Sequence, residues 1–252
     1  MPMTVNYFIQ ARMSSTRFPG KVLASVKSDK TLLDYILERI KKTGAGCKNT
    51  IVLLTTESKA DDVLVDYAKA KDIVYYRGSE WNVFQRFQDA CIRFPCDFFF
   101  RICADNPFLE SDFLNRLSKA AEQNYQYDYF SYKDKLGTPA IKTHYGFFAE
   151  LLKVQTFLNL SPENLTHYEM EHVTPHLYLH PELFQCYWIE MPAWIEDGSV
   201  RLSVDTLEDL MTIRQLIKDL PESFQLKDVY DLLKISPYLK KRMFNQIRGN
   251  QK

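Results

Sequence analysis

Three absences narrow the field before any motif is read. There is no excess of charge: 32 Lys and Arg balance 32 Asp and Glu across 252 residues. A balanced chain has no electrostatic grip on nucleic acid or on an anionic membrane. No apolar run approaches the roughly 20 residues that span a bilayer. The first residues show neither a long apolar stretch nor a small-residue cleavage site. Cysteine is sparse and unpaired: Cys47, Cys91, Cys96, Cys103 and Cys186 are scattered, odd in number and without CxxC spacing. That pattern argues against a disulfide frame or a cysteine zinc site and fits reduced, mostly buried thiols. The expectation is a cytoplasmic protein. Gly/Ser linkers, low-complexity segments and internal repeats are also missing, so the simplest organisation is one domain over residues 1–252 with a subregion at 133–195.

What is present is an ordered alternation. Short apolar runs at Val5–Ile9, Thr50–Leu54, Ile73–Tyr76 and Asp97–Ile102 read as strands. Between and after them, Thr31–Lys41, Ala60–Ala70, Asn82–Phe94 and Asp112–Gln123 carry helical periodicity. In the second of these helices Val63, Leu64 and Tyr67 are expected to turn inward. Runs apolar on both faces, alternating with helices, predict an α/β fold: a Rossmann-like, mostly parallel sheet with helices on both faces. The second half is less regular. Strands are expected near Asp128–Tyr132, Ala140–Thr143, Phe184–Ile189 and Val200–Val204, a polar helical stretch at Glu163–Leu179, and helices at Leu207–Leu220 and Leu226–Ile235. The basic residues at Lys240–Arg242, Arg248 and Lys252 read as a frayed or solvated end.

The first strand empties into Gln10–Leu23, QARMSSTRFPGKVL. Three cations (Arg12, Arg17, Lys21) and three hydroxyls (Ser14, Ser15, Thr16) fall within ten residues, with Pro19-Gly20 bending the backbone before Lys21. Such a loop suits the charge-assisted hydrogen bonds of a phosphate chain; a solvated basic loop is the plainer alternative. Two carboxylates stand at strand ends, Asp105 in ADNP and Asp205 in VDTLED. Each fits a hard divalent cation such as Mg²⁺, and each could instead cap a turn or helix.

The order of these residues resembles the signature of cytidylyltransferase-like enzymes related to spore-coat polysaccharide biosynthesis proteins and to CMP-sugar synthetases (CMP-Kdo and CMP-sialic acid). That family's opening motif is close to QARMxSTRxPGKVL. Ala104–Pro107 resembles its G-D-x-P, Arg77–Glu80 its RGSE, Glu171–Pro175 its EHVTP, and Val204–Asp209 its V-D-T-x-E-D. The resemblance runs from about Val5 to Ile217 and implies the sheet of nucleotide-diphospho-sugar (GT-A-like) transferases with a small inserted subregion. It implies transfer of a nucleotidyl group from a nucleoside triphosphate, CTP preferred, to an acidic or phosphorylated sugar feeding a surface polysaccharide. Arg12, Arg17 and Lys21 would then be the catalytic cations. Gln10, Ala11, Arg12, Met13, Ser15, Lys21, Gly78, Ser79 and Asp105 would bind the nucleotide, and Asp105 and Asp205 would hold Mg²⁺.

One stretch departs from the pattern: Leu136–His144 lacks the family's acidic residue. Lys142 and His144 stand there and are candidates for meeting an acceptor carboxylate or phosphate, although a solvated strand residue is the plainer reading of Lys142. His172, His176 and His180 recur at a spacing of four, but Pro175 interrupts them, which favours a helix-terminal or interface role over a zinc site. Two other functions remain open: a glycosyltransferase of the same architecture, and a catalytically silent relative, whose signature would be loss of the loop cations or an aspartate. The aromatic content suits a homodimer surface and a filled core alike.

Overall fold

The computed structural model describes residues 2–43, 50–195 and 198–249. In chain order its strands and helices are β1 (Val5–Gln10), β2 (Ser25–Lys27), β3 (Lys30–Thr31), α1 (Leu32–Lys41), β4 (Ile51–Thr56), α2 (Asp62–Ala70), β5 (Val74–Gly78), α3 (Val83–Arg93), β6 (Phe98–Cys103) and α4 (Ser111–Gln123). There follow β7 (Tyr129–Lys133), β8 (Glu150–Lys153), α5 (Val154–Leu158), α6 (His167–His172), α7 (Pro175–Leu179), β9 (Cys186–Glu190), α8 (Leu207–Asp219), α9 (Leu226–Ile235) and α10 (Pro237–Gly249). Seven strands form one sheet in the order β5-β4-β1-β6-β8-β7-β9, with β2 and β3 as a separate hairpin. Only β8 runs against its neighbours; the other pairings are parallel. The expected mostly parallel α/β sheet is therefore present.

The strand residues explain the layers. Tyr7, Ile9, Leu53, Phe100 and Ile102 face one side and pack with α1, α4, α8 and α9. Phe8, Val52, Leu54 and Phe99 face the other and pack with α3 and α5. The central strands β1, β4 and β6 are largely apolar on both faces because each face is covered. Chain order reverses between β1 and β6, so their C-terminal ends open a crevice at the switch point. The phosphate-type loop and Asp105 both leave the sheet there.

Several expectations need correcting. Val63 is turned out and 43 % exposed; Leu64, Val65 and Ala68 are the residues of α2 that face the core. Ala140–Thr143 is not a strand: Lys142 and Thr143 donate back to Pro139 and Ala140, closing a short 3₁₀ turn after Pro139. Val200–Val204 joins no ladder and is an extended strap held by single hydrogen bonds, Leu202 N–H to the His144 carbonyl and Val204 N–H to that of Asp105. The stretch Glu163–Leu179 breaks into α6 and α7, because Pro175 has no N–H to donate and Val173 takes a positive φ of 72°. The basic end is α10, whose Leu239, Met243 and Ile247 are buried, with Leu239 and Met243 in the core that also takes in α8. Lys252 and Cys47 lie outside the described residues. Among those described, no helix is long and apolar enough to cross a membrane.

Candidate active site

The loop after β1 is pinned before it can bind anything. Ala11 N–H bonds to the Leu54 carbonyl at 3.0 Å, and Met13 N–H bonds to Asp61 Oδ1 at 2.7 Å. Asp61 is 1 % exposed, and its other oxygen accepts from Thr56. Gly20, at φ 74°, folds the loop back so that its N–H reaches the Met13 carbonyl at 2.9 Å. A side chain at that φ would be strained. The reversal delivers Lys21 to the mouth of the crevice.

There the Lys21 ammonium meets three acceptors: Asp105 Oδ2 at 2.8 Å, Asp205 Oδ1 at 3.0 Å and the Val204 carbonyl at 2.9 Å. Asp105 arrives from the end of β6, and the strap carrying Asp205 is bonded to Asp105's own carbonyl through Val204 N–H. Residues a hundred positions apart are thus fixed to one point by backbone as well as by charge. Burial alone would lower the Lys21 pKa; Asp105 and Asp205 outweigh it and raise it above an ordinary lysine. Burial would likewise raise that of Asp205, but Lys21, Arg17 and Arg201 together hold it below the usual carboxylate value.

Arg201, which is fully buried, organises the rear of the site. Its guanidinium forks onto Asp209 (2.8 and 3.0 Å), reaches Asp205 Oδ2 at 2.9 Å and meets His144 Nδ1 at 2.8 Å. A guanidinium only donates, so Nδ1 of His144 accepts and the imidazole carries its proton on Nε2. Burial, then the Arg201 charge, keeps the His144 pKa below its ordinary value. Thr206, not Asp205, caps α8, in a reciprocal box with Asp209. That leaves Asp205 facing the crevice.

An open cleft of about 890 Å³ runs over this constellation, lined among others by Gln10, Ala11, Arg12, Ser15, Arg17, Lys21, Asp105, His144 and Asp205. Arg17 pairs with Asp205 at 3.0 Å, while Arg12 pairs with no carboxylate among the described residues. Tyr168, Glu171 and His172 close the cleft from α6. Beside it a smaller cavity of about 150 Å³ shares Asp105 and is walled by Ser131, Thr143, Gly146, Glu150 and Ser203. Met13, Gly78 and Ser79 are not in the cleft lining; Met13 belongs to the loop's hydrogen-bonded frame, and the Gly78–Glu80 turn touches the loop where Ser14 Oγ reaches Glu80 Oε1 at 3.2 Å. Lys142 is not in the cleft lining, although Ile141 and Thr143 on either side of it line the smaller cavity. It is exposed, with its ammonium 5.4 Å from the centre of the Tyr178 ring.

The sequence motifs assign no role to Asp61, Arg86, Arg201 or Asp209. Arg86 is 0 % exposed and donates to the Ser79 carbonyl at 2.8 Å, leaving its Nε and Nη2 without a partner among the described residues. Burial, with Arg12 nearby, lowers its pKa to about 10. Arg201, Asp205 and Asp209 follow one another at intervals of four, a signal that could have joined them.

A family model described as cytidylyltransferase matches residues 7–247. The chain belongs to the cytidylyltransferase family. It is a nucleotidyltransferase, and neither the loop cations nor the two aspartates are missing from it. Spore coat polysaccharide biosynthesis protein SpsF of Bacillus subtilis (strain 168) is 30 % identical over 214 residues, 83 % of this chain and 85 % of that protein. A cytidylyltransferase structure from Leptospira borgpetersenii serovar Hardjo-bovis superposes with a TM-score of 0.83 at 28 % identity, over 100 % of this chain and 99 % of that one. A CMP-2-keto-3-deoxy-manno-octonic acid synthetase solved with CTP shares the fold, with a TM-score of 0.64 at 13 % identity over 86 % and 99 % of the two chains.

The cytidylyltransferase cleft offers oxygen donors suited to a hard divalent ion. Asp105 Oδ2 and Asp205 Oδ1 already flank one cation, the Lys21 nitrogen, at 2.8 and 3.0 Å. Two carboxylates that converge on a single positive charge fit a divalent cation that prefers oxygen ligands.

Proposed function

We propose that this cytidylyltransferase uses CTP to activate an acidic or phosphorylated sugar, giving a CMP-sugar and pyrophosphate for a surface polysaccharide or glycan. One observation carries the reading: Lys21 of the loop, Asp105 of β6 and Asp205 of the strap meet at one point on the cleft wall. The named relatives, a spore-coat polysaccharide protein and a CMP-sugar synthetase, support a sugar as acceptor.

An acceptor oxygen attacks the α-phosphorus, and the bond from that phosphorus to the bridging oxygen of pyrophosphate breaks. Arg12, Arg17 and Lys21 bind the β- and γ-phosphates and neutralise the charge that gathers on the departing pyrophosphate. The loop holds that geometry in advance, because Asp61 and Leu54 fix its backbone. Mg²⁺ on Asp105 and Asp205 would supply a Lewis acid at the α-phosphate. Arg201 orients Asp205, and Lys21, Arg17 and Arg201 together keep it ionised. Gln10, Ala11 and Ser15 line the nucleotide's side of the cleft, and Gly78 and Ser79 stand beside it on the nucleobase side. The subregion 133–195 forms the acceptor side through His144, Tyr168, Glu171 and His172.

Pyrophosphate release tests the proposal, with purified protein, Mg²⁺, each of the four ribonucleoside triphosphates and a panel of acidic and phosphorylated sugars. Release with CTP and one sugar, reduced by about 10²- to 10³-fold in Asp105→Asn, is expected. Release with another triphosphate would overturn the assignment of CTP. Silence across the panel, with tight binding of a nucleotide-sugar instead, would favour a glycosyltransferase.

A further inference from the structure

Behind the cleft wall, α6 and α7 bring together three side chains that the nucleotidyl-transfer chemistry does not use. Glu169 of α6 is 4 % exposed. Its Oε2 is committed to the N-terminus of α6, accepting from Thr166 N–H at 2.8 Å and Thr166 Oγ1 at 2.7 Å. That fixes the carboxylate and leaves Oε1 directed at His176 Nδ1 (2.8 Å) and His180 Nε2 (3.6 Å). The three donor atoms lie within 4.8 Å of one another. Pro175 does not break the histidine pair, as its place in the sequence suggests; it opens α7, and the positive φ of Val173 folds that helix back onto α6.

We propose that Glu169, His176 and His180 form a binding site for a divalent transition-metal ion of the zinc type. Two imidazole nitrogens and one carboxylate oxygen are the donor set that zinc prefers, unlike the all-oxygen pair at Asp105 and Asp205. An ion about 2.0–2.1 Å from each ligand in tetrahedral geometry sets its ligand atoms about 3.3 Å apart. The 3.6 Å separation is close to that value, and the 2.8 Å one must open by about half an ångström as the proton shared by Glu169 and His176 leaves.

His180 supplies the second observation. Its Nδ1 is held by Glu182 Oε1 at 3.1 Å, the carboxylate partner that metal-bound histidines commonly have on the far nitrogen. With the proton on Nδ1, the Nε2 lone pair stands 3.6 Å from a carboxylate oxygen, an arrangement relieved by a cation between the two or by a second proton on the ring. The His180 side chain is 39 % exposed, so water can complete the shell. The ion would clip α7 to α6, the helix that carries Tyr168, Glu171 and His172 into the cleft, and so hold the wall of the active site from behind.

Isothermal titration of the chelator-treated full chain with Zn²⁺ tests this, alongside visible absorption with Co²⁺ in its place. The Asp105→Asn/Asp205→Asn variant serves as background so that the other carboxylate pair cannot contribute. One ion per chain is expected, with a tetrahedral Co²⁺ spectrum. Affinity should fall at least about 100-fold in His176→Ala and His180→Ala, and about 10-fold in Glu182→Gln, which removes no ligand. His172→Ala, outside the cluster, should bind as the background does. Melting curves without metal show whether each variant folds; because His180 is only half-buried and Glu182 is exposed, their variants remain informative if His176→Ala does not. No binding in the background, or binding unchanged in His180→Ala and Glu182→Gln, overturns the proposal and leaves a histidine–carboxylate ion-pair cluster.

Discussion

Lys21 meets two requirements that a longer or bulkier cation could not meet together. Its ammonium must be small enough to sit between two carboxylates and mobile enough to reach a phosphate, and a point charge on a flexible stem does both. Lys21→Met should therefore lower kcat/KM by about 10²- to 10³-fold. Its melting temperature should change little, because Asp205 keeps Arg17 and Arg201 as partners. Steady-state pyrophosphate release and a thermal melt, run on the same sample, check both halves. Lys21, Asp105 and Asp205 were legible in the sequence because each lies inside a contiguous motif whose neighbours shape its backbone. Asp61 and Arg86 were not. Each does its work across a fold-level contact, Asp61 on Met13 and Arg86 on the Ser79 carbonyl, and nothing local marks a buried Asp or Arg as a holder of a loop.

The strap from Val200 to Asp205 is the element on which the site depends most. It lies against the backbone of Gly146, where a Cβ would run into Ser203 N and meet Leu202 C at 2.6 Å. Both are main-chain atoms and cannot swing aside, and the φ of 69° disfavours a side chain as well. Gly146→Ala should cost about 1–3 kcal/mol in urea unfolding and lower activity more than that loss of stability explains, because the strap carries Asp205. Thr206→Ala, which removes the cap of α8 one residue later, should cost about 1 kcal/mol. The parallel strands were readable because both faces are apolar. The strap was misread as one of them: its alternation is strand-like, but each end spends its hydrogen bond on a different partner. β8 escaped notice because its first residue, Glu150, is a buried charge, neutralised by Arg101 at 2.7 Å and bonded to the Tyr129 hydroxyl at 2.6 Å, contacts visible only once the sheet is assembled.

Over the whole molecule, the C-terminal helix ties the periphery to the centre. α10 packs on α8, where Gln246 Nε2 bonds Thr212 Oγ1 at 3.0 Å, and α8 begins beside Asp205. Ending the chain after Ser236 removes the buried Leu239, Met243 and Ile247, a loss on the order of 5 kcal/mol. Denaturant unfolding should report it, together with lower activity. Stability should also fall on mild acidification. The pKa values of His144 and His172 are held below 6.5 in the folded chain, in both cases first by burial. Between 6.5 and those lowered values the unfolded chain binds more protons, so stability drops as pH falls through that window. His144→Asn, which keeps an acceptor for Arg201, should flatten the dependence of melting temperature on pH between about 7.5 and 5.5. Asp205 and Asp209 act lower down: their contribution is present above 3.8 and is lost as pH falls through their depressed values. The meeting point of Lys21 also has a consequence in simple charge counting. Asp105, Asp205 and Asp209 face Lys21, Arg17 and Arg201, so the resting seat is electroneutral. A dication arriving alone would leave it two charges in excess, and a triphosphate arriving alone would leave it in deficit. Ion and nucleotide should accordingly bind with strong mutual linkage, each weak without the other.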